Sequence, residues 1–239
     1  MNSIAKFLID AHGGLDRWKQ FEKMSAHLVQ GGVLWPLKGQ AGKLDDTNVT
    51  VGLRTEWGSH SPFGAPDRKS KFEPDRVAIE AADGRVLDEM REPRKSFAGH
   101  SLQTPWTDLQ LAYFVGTAMW TYLNMPFVLA WPGVACEELS SWSENGESWG
   151  RLEITFPDTI ATHCSRQTLY FDKAGLLKRH DYDVEIAGNT PGAHYMDSYV
   201  EVSGIKIPTV HRIFARQPDA SVNRDPLVVS IDISNIQLS

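Results

Sequence analysis

One stretch limits the possible folds more than any other. From Leu109 to Trp131 the chain is apolar almost throughout, and the run is about as long as a bilayer-spanning helix, on the order of 20 residues. Gln110, Thr117, Thr121 and Asn124 interrupt it, Gly116 weakens it, and Pro126 ends any helix near Asn124. Thr107 followed by Gln110 forms a capping box, and Asp108 suits the positive end of the helix dipole. The pattern predicts a helix over 107–125 that is buried inside a protein rather than inserted in a membrane. A helix without a polar face must be covered on every side, and the rest of the chain has to supply that cover.

The flanking segments have a different period. Residues 1–23 read as N-terminal helices: one from about Ile4 to His12 stopped by Gly13-Gly14, then a short one carrying Leu15, Trp18 and Phe21. Strand-like runs follow at Ala26–Leu34, Asn48–Trp57, Arg76–Ala81 and Arg85–Glu89. After the apolar helix come Ala135–Ser140, Arg151–Phe156, Gln167–Asp172, Leu176–Ile186, His194–Val202, Pro208–Ala215 and Leu227–Leu238. Reversals are marked by Asp83-Gly84, Asn145-Gly146, Lys173-Ala174-Gly175, the Gly188–Gly192 segment and Ser203-Gly204. The basic run Arg68-Lys69-Ser70-Lys71, between Asp67 and Glu73, reads as a solvated turn. No linker, repeat or strand-helix rhythm divides the chain, so 1–239 is read as one domain. The expected fold is mainly β (α+β): a curved antiparallel sheet of about ten strands forming a half-barrel around a central apolar helix, with a cleft left beside the helix.

Composition narrows the function. With 24 Lys+Arg against 30 Asp+Glu the net charge is −6, the wrong sign for a phosphate-reading surface, so no nucleic-acid partner is expected. The two cysteines, Cys136 and Cys164, form neither a C-x-x-C pair nor a zinc spacing. The apolar run near the N-terminus is broken by Lys6 and Asp10 and falls short of a signal-peptide core, so a cytoplasmic location is expected, as a monomer or homodimer. Gly99-His100-Ser101-Leu102-Gln103 misses the last glycine of a nucleophile elbow. There is no G-x-G-x-x-G, Walker sequence or H-E-x-x-H, and no cofactor is expected.

Three short patterns, Ala11-His12-Gly13-Gly14-Leu15, Leu169-Tyr170-Phe171-Asp172 with Gly175-Leu176-Leu177, and Gly204-Ile205-Lys206-Ile207-Pro208, resemble the LolA/LolB-like lipoprotein-carrier half-barrels. The order of elements agrees over most of the chain. The resemblance implies a curved sheet that holds an acyl chain or another apolar guest. It also extends, distantly, to the violacein-pathway half-barrel enzyme, which implies that cofactor-free chemistry is compatible with the fold.

Candidate chemistry lies in two segments. In Lys178–Asp183, strand alternation puts His180 and Tyr182 on one face and Arg179, Asp181 and Asp183 on the other; His194 lies on the next strand. An imidazole beside a phenol can pass protons near neutral pH. The structural reading of the same residues is hydrogen-bonded partners between strands. His163, His180, His194 and His211 lie on successive strands and would converge on a metal only in one register; no pair has a recognised ligand spacing, and none is assigned to metal. The second segment, Arg91–Asp108, brings Arg94, His100 and Trp106 to the mouth of the cleft, where Arg94 would hold an anion. The alternative is a structural arginine in a capping loop.

These residues yield two expectations. The first is a cofactor-independent acid-base enzyme of the lyase, isomerase or hydratase type, acting on a small apolar or aromatic metabolite. His180, His194 and His100 would take protons and Tyr182 would donate one. Arg94, Trp106, Tyr113, Trp120 and Trp131 would bind the substrate. The second is a noncatalytic carrier or sensor of a hydrophobic small molecule.

Overall fold

The computed structural model describes residues 2–239. Two helices open the chain, α1 (Ser3–Ala11) and α2 (Leu15–Trp18), followed by strand β1 (Lys23–Gly31) and the single turn α3 (Leu34–Leu37). Five strands come next: β2 (Asp46–Gly52), β3 (Gly58–Ser61), β4 (Arg68–Glu73), β5 (Arg76–Ala81) and β6 (Val86–Arg91). The long helix α4 (Asp108–Asn124) separates them from β7 (Ala135–Glu144), β8 (Glu147–Thr155), β9 (Arg166–Phe171) and β10 (Leu177–Val184). The chain ends with β11 (Thr190–Val202), β12 (Ile205–Arg216), β13 (Val222–Asn223) and β14 (Val229–Leu238). All pairings are antiparallel in one sheet, ordered β6-β5-β4-β3-β2-β1-β14-β12-β11-β10-β9-β8-β7, with β13 appended to β12. The sheet stays open, because β6 and β7 are free edges rather than partners.

Helix α4 lies in the concave face. Its capping box is present, with Thr107 accepting from the Gln110 amide and the Gln110 side chain accepting from the Thr107 amide. Every residue from Leu109 to Asn124 is buried. One side packs on β2–β5: the Trp120 indole N–H and the Asn124 amide both donate to the Gly52 carbonyl, at 3.0 and 3.2 Å. The Tyr113 and Phe72 rings meet edge-on at 5.8 Å. The opposite side faces β10–β12, where Tyr122 and His194 stand 4.3 Å apart. The sheet thus covers the helix on two sides, and Gln110, Thr121 and Asn124, which interrupt its apolar sequence, bond to backbone carbonyls.

Fourteen strands among the described residues exceed the ten expected because Asn48–Trp57 is a strand only to Gly52, with a separate strand β3 beginning after it at Gly58, because β13 adds a short strand to β12, and because Arg68–Lys71 is strand β4 rather than a turn. The basic run alternates: Ser70 and Phe72 point inward and are sealed, whereas Lys69 and Lys71 reach ion pairs with Glu80 and Glu73. Charge masked the period of two. The expected reversal at Gly188–Gly192 is also tighter, since β11 begins at Thr190 and pairs Pro191 with Asp183.

The convex face carries its own buried ion cluster. Arg179 is fully covered, bonded to Asp181 and to Glu144 at the tip of the β7–β8 hairpin, and donates to the Ala220 carbonyl. Its guanidinium lies 4.8 Å from the Tyr170 ring centre. Arg179 therefore fastens the hairpin and the 217–224 segment onto β10.

The helix sits tightly on the sheet at Gly116, where a Cβ would lie 2.4 Å from Phe72 Cβ. Gly116→Ala is expected to destabilise the fold by about 1–3 kcal/mol through this overlap, although alanine is the better helix former. Urea unfolding followed by tryptophan fluorescence measures the sign: stabilisation would show that α4 does not sit this tightly on β4.

Candidate functional site

Between α4 and strands β1, β14, β12, β11 and β10 the packing is incomplete, leaving a cavity of about 110 Å³. Phe114, Ala118 and Tyr122 of α4 form one wall and Tyr182, Ile213 and Ile231 of the sheet form the other. Trp35 of α3 and Trp106 of the loop before α4 flank Phe114, with ring centres 6.3 and 4.7 Å from it. Half-exposed Leu102, Val184, Pro191 and Val228 form the mouth. The lining is almost wholly carbon. Small residues at Ala118, Ala187 and Gly192 create the space, because no side chain from those positions fills the gap between helix and sheet.

Beneath the Tyr122–Tyr182 side of this cavity lies a sealed polar cluster. The β10–β11 register sets His180 directly opposite His194, and β11–β12 sets Met196 opposite His211. His180 Nε2 is 2.6 Å from Gln167 Oε1, so it carries the proton and donates. His211 Nε2 lies 3.1 Å from the Pro208 carbonyl and donates to it, which leaves Nδ1 as an acceptor. His194 Nε2, 2.7 Å away, therefore donates to His211 Nδ1, and His194 Nδ1 keeps a buried lone pair with no partner among the described residues. The Tyr182 hydroxyl donates to Tyr122 Oη, whose proton goes to His163 Nε2 at 3.1 Å. A proton relay thus runs from the cavity wall into the interior.

Burial sets the protonation of this cluster. Desolvation lowers His163 and His180 to about 3 and His211 to about 4. Desolvation, with neighbouring imidazoles second, drives His194 well below its usual value. The same desolvation pushes the Tyr122 and Tyr182 phenols upward. All six groups are neutral at pH 7, a state suited to hydrogen-bond relay and not to holding charge. Among the described residues, no three His, Cys, Asp or Glu side chains are arranged to hold a metal ion. Five of the eight imidazole nitrogens are engaged with one another, an amide, a phenol and a backbone carbonyl.

The residues singled out from sequence separate into five places. His180, Tyr182 and His194 join the interior cluster, and Trp106 stands in the cavity wall. His100 remains apart, edge-on to Phe97 at 5.4 Å in the loop before α4. Arg94 and Tyr113 line a different cleft of about 430 Å³ with mixed charged and apolar walls. There Arg94 donates to Tyr113 Oη at 3.3 Å and the Thr162 carbonyl at 2.8 Å and pairs with Glu185, so most of its donors are engaged. Trp120 and Trp131 pack edge-on at 5.0 Å and do not line the cavity. Tyr122, Trp35 and Gln30 line it without having been singled out as site residues. Gln30 had a legible signal: it continues the inward series Met24, Ala26, Leu28, where an apolar residue belongs.

No protein-family model and no curated protein sequence matches this chain. Solved structures do share its fold. A DUF1329 family protein from Desulfovibrio piger superposes with a TM-score of 0.56 at 15% identity, covering 100% of this chain and 94% of its own. A LolA superfamily protein from Nitrosomonas europaea gives 0.52 at 12% identity, covering 98% and 93%. A domain described as an outer membrane lipoprotein-sorting protein, from Vibrio parahaemolyticus, gives 0.52 at 11% identity, covering 96% and 93%. The chain has the LolA-like half-barrel fold. No helix among the described residues is long and apolar enough to cross a membrane.

The buried histidines make stability depend on pH. Their folded values lie below the unfolded value of 6.5, so the unfolded chain binds more protons between about pH 6.5 and 3, and stability falls on acidification through that window. His12 and His60, each lowered to about 4 by burial, act in the same direction. Each such group contributes about 1.4 kcal/mol per pH unit below 6.5. The melting temperature is expected to drop steeply from pH 7 to pH 5, and less so in His180→Gln; a flat profile would show that these imidazoles are not buried neutral.

Proposed function

We propose that the protein is a carrier or sensor that holds a small hydrophobic molecule between α4 and the concave face of the sheet, without transforming it. One observation carries this reading: a carbon-lined cavity kept open in the core by small residues at helix and strand positions. Closing such a space would bring dispersion contacts, so an open one is matched to a guest that supplies them. A cavity of about 150 Å³ takes one benzene, so this smaller one of about 110 Å³ takes part of a ring or a short acyl segment, with the rest of the guest leaving through the half-exposed mouth. The likeness in fold to a domain described as lipoprotein-sorting supports the reading at the level of fold alone.

The second reading, cofactor-free acid-base catalysis, is favoured by the Tyr182–Tyr122–His163 relay and the free lone pair on His194. Against it, the imidazoles lie behind the two phenols rather than in the cavity wall. A guest would meet Tyr122 and Tyr182 first.

Cumene is a suitable probe because it is one ring with a short branched tail. It is expected to raise the melting temperature in a concentration-dependent way, as any ligand specific to the folded state does. Ala118→Leu, which fills the cavity from the helix, is expected to weaken cumene binding at least tenfold without lowering the melting temperature of the free protein. Native mass spectrometry of the purified protein is expected to detect a retained small molecule that elutes unchanged. Absence of binding by both cumene and acetophenone, its carbonyl counterpart, would overturn the carrier reading. Conversion of the retained molecule to a new mass, abolished in Tyr182→Phe, would establish the catalytic one.

A further inference from the structure

The cavity wall contains three side chains with N–H groups: Gln30, Trp35 and Trp106. None of these nitrogens has a hydrogen-bond partner among the described residues, although all three are buried. The other polar lining groups differ. Tyr122 and Tyr182 bond to each other, and the Thr190 hydroxyl donates to the Ala187 carbonyl at 2.6 Å. An unmade bond on a buried donor is costly, and these three side chains all line one cavity.

Gln30 is the most informative of them. It is 7% exposed, faces inward from β1 and stands opposite Ile231 of β14, which lines the same cavity. Leucine or isoleucine would suit that register position, as at Leu28 one inward step earlier. Trp106 is distinctive as well: the Lys38 ammonium lies 4.4 Å from its ring centre, held there by the Ser101, Leu102 and Thr104 carbonyls. A cation on the indole face withdraws electron density and strengthens the indole N–H as a donor.

We infer that the guest is not a pure hydrocarbon: it carries a carbonyl-type oxygen, as in an aldehyde, ketone, ester or acid, which Gln30 recognises with the Trp35 and Trp106 indoles as neighbouring donors. This rests on the carrier reading above and specifies its ligand. The amide of Gln30 can turn its nitrogen toward the cavity by a rotation of its terminal torsion, which is soft. The donors then discriminate, because a guest without an acceptor leaves them unpaired while a carbonyl satisfies at least one.

The test uses the intact chain and two ligands of matched shape, cumene and acetophenone, the second having a carbonyl oxygen in place of one methyl group of the first. Affinities for the wild type and for Gln30→Leu come from thermal shift and from titration of the indole N–H resonances. The ratio of cumene to acetophenone dissociation constants is expected to fall about tenfold from wild type to Gln30→Leu, the size of one neutral hydrogen bond. Cumene itself is expected to bind the variant at least as tightly, which shows that the cavity is intact. In the wild type, acetophenone is expected to shift the Trp35 or Trp106 indole proton downfield, with assignments from Trp35→Phe and Trp106→Phe. A ratio unchanged within threefold, with cumene still bound, would overturn the inference and leave the carrier reading standing. Failure of both ligands to bind wild type would overturn both.

Discussion

Burial of α4 on all sides is the constraint from which the architecture follows. A helix with a single apolar stripe is satisfied by one sheet face, but this one presents large apolar or aromatic groups around its whole circumference. One flat sheet would leave half of it in water. Bending the sheet so that β2–β5 take one side and β10–β12 the other solves the problem in one chain, with the two free edges β6 and β7 left at the rims. The contacts at Gly52 and Phe72 show how closely the first side fits. The second side fits less closely, and the difference is the cavity.

That asymmetry also explains the histidine cluster. Where β10–β12 face α4, inward positions hold His180, Tyr182, His194 and His211 alongside Met196 and Ile213. Such groups are tolerated only because they partner one another and remain uncharged. Their bonds have direction, so they hold Tyr122 and Tyr182 in one arrangement at the cavity wall. A floor of aliphatic side chains would have more freedom to collapse into the space. The cluster therefore contributes to keeping the cavity open, whether or not protons ever move along it.

The convex side is held by a different interaction. Arg179, Asp181 and Glu144 tie the β7–β8 hairpin to the back of β10, with Tyr170 and Tyr195 around the guanidinium. Breaking a buried pair of this kind leaves a stranded charge, which makes it a strong constraint on geometry even where its net contribution to stability is small. The strand that carries the arginine outward carries His180 and Tyr182 inward, so the clamp and the cavity share β10.

Much of this was readable from residue order alone, since it depends on short-range rules. Thr107, Gln110 and Pro126 mark the ends of α4 by local hydrogen bonding and by loss of a donor, and alternation in Lys178–Asp183 separates the inward pair from the charged set. The strand Arg68–Glu73 was obscured because its outward residues are charged, and β3 because Gly58–Ser61 carries no aliphatic residue. Which histidines meet, which aromatic residues touch the cavity and where Arg94 points were set by the tertiary structure. A period of two says only that a side chain is in or out, while contact across the half-barrel depends on register between strands far apart in sequence. Arg94 and Trp106 belong to one loop, yet the turn between them sends the first to the Glu185 cleft and the second to the cavity. The apolar helix requires a surrounding sheet by its composition, but only the packed structure determines where that sheet fails to close on it.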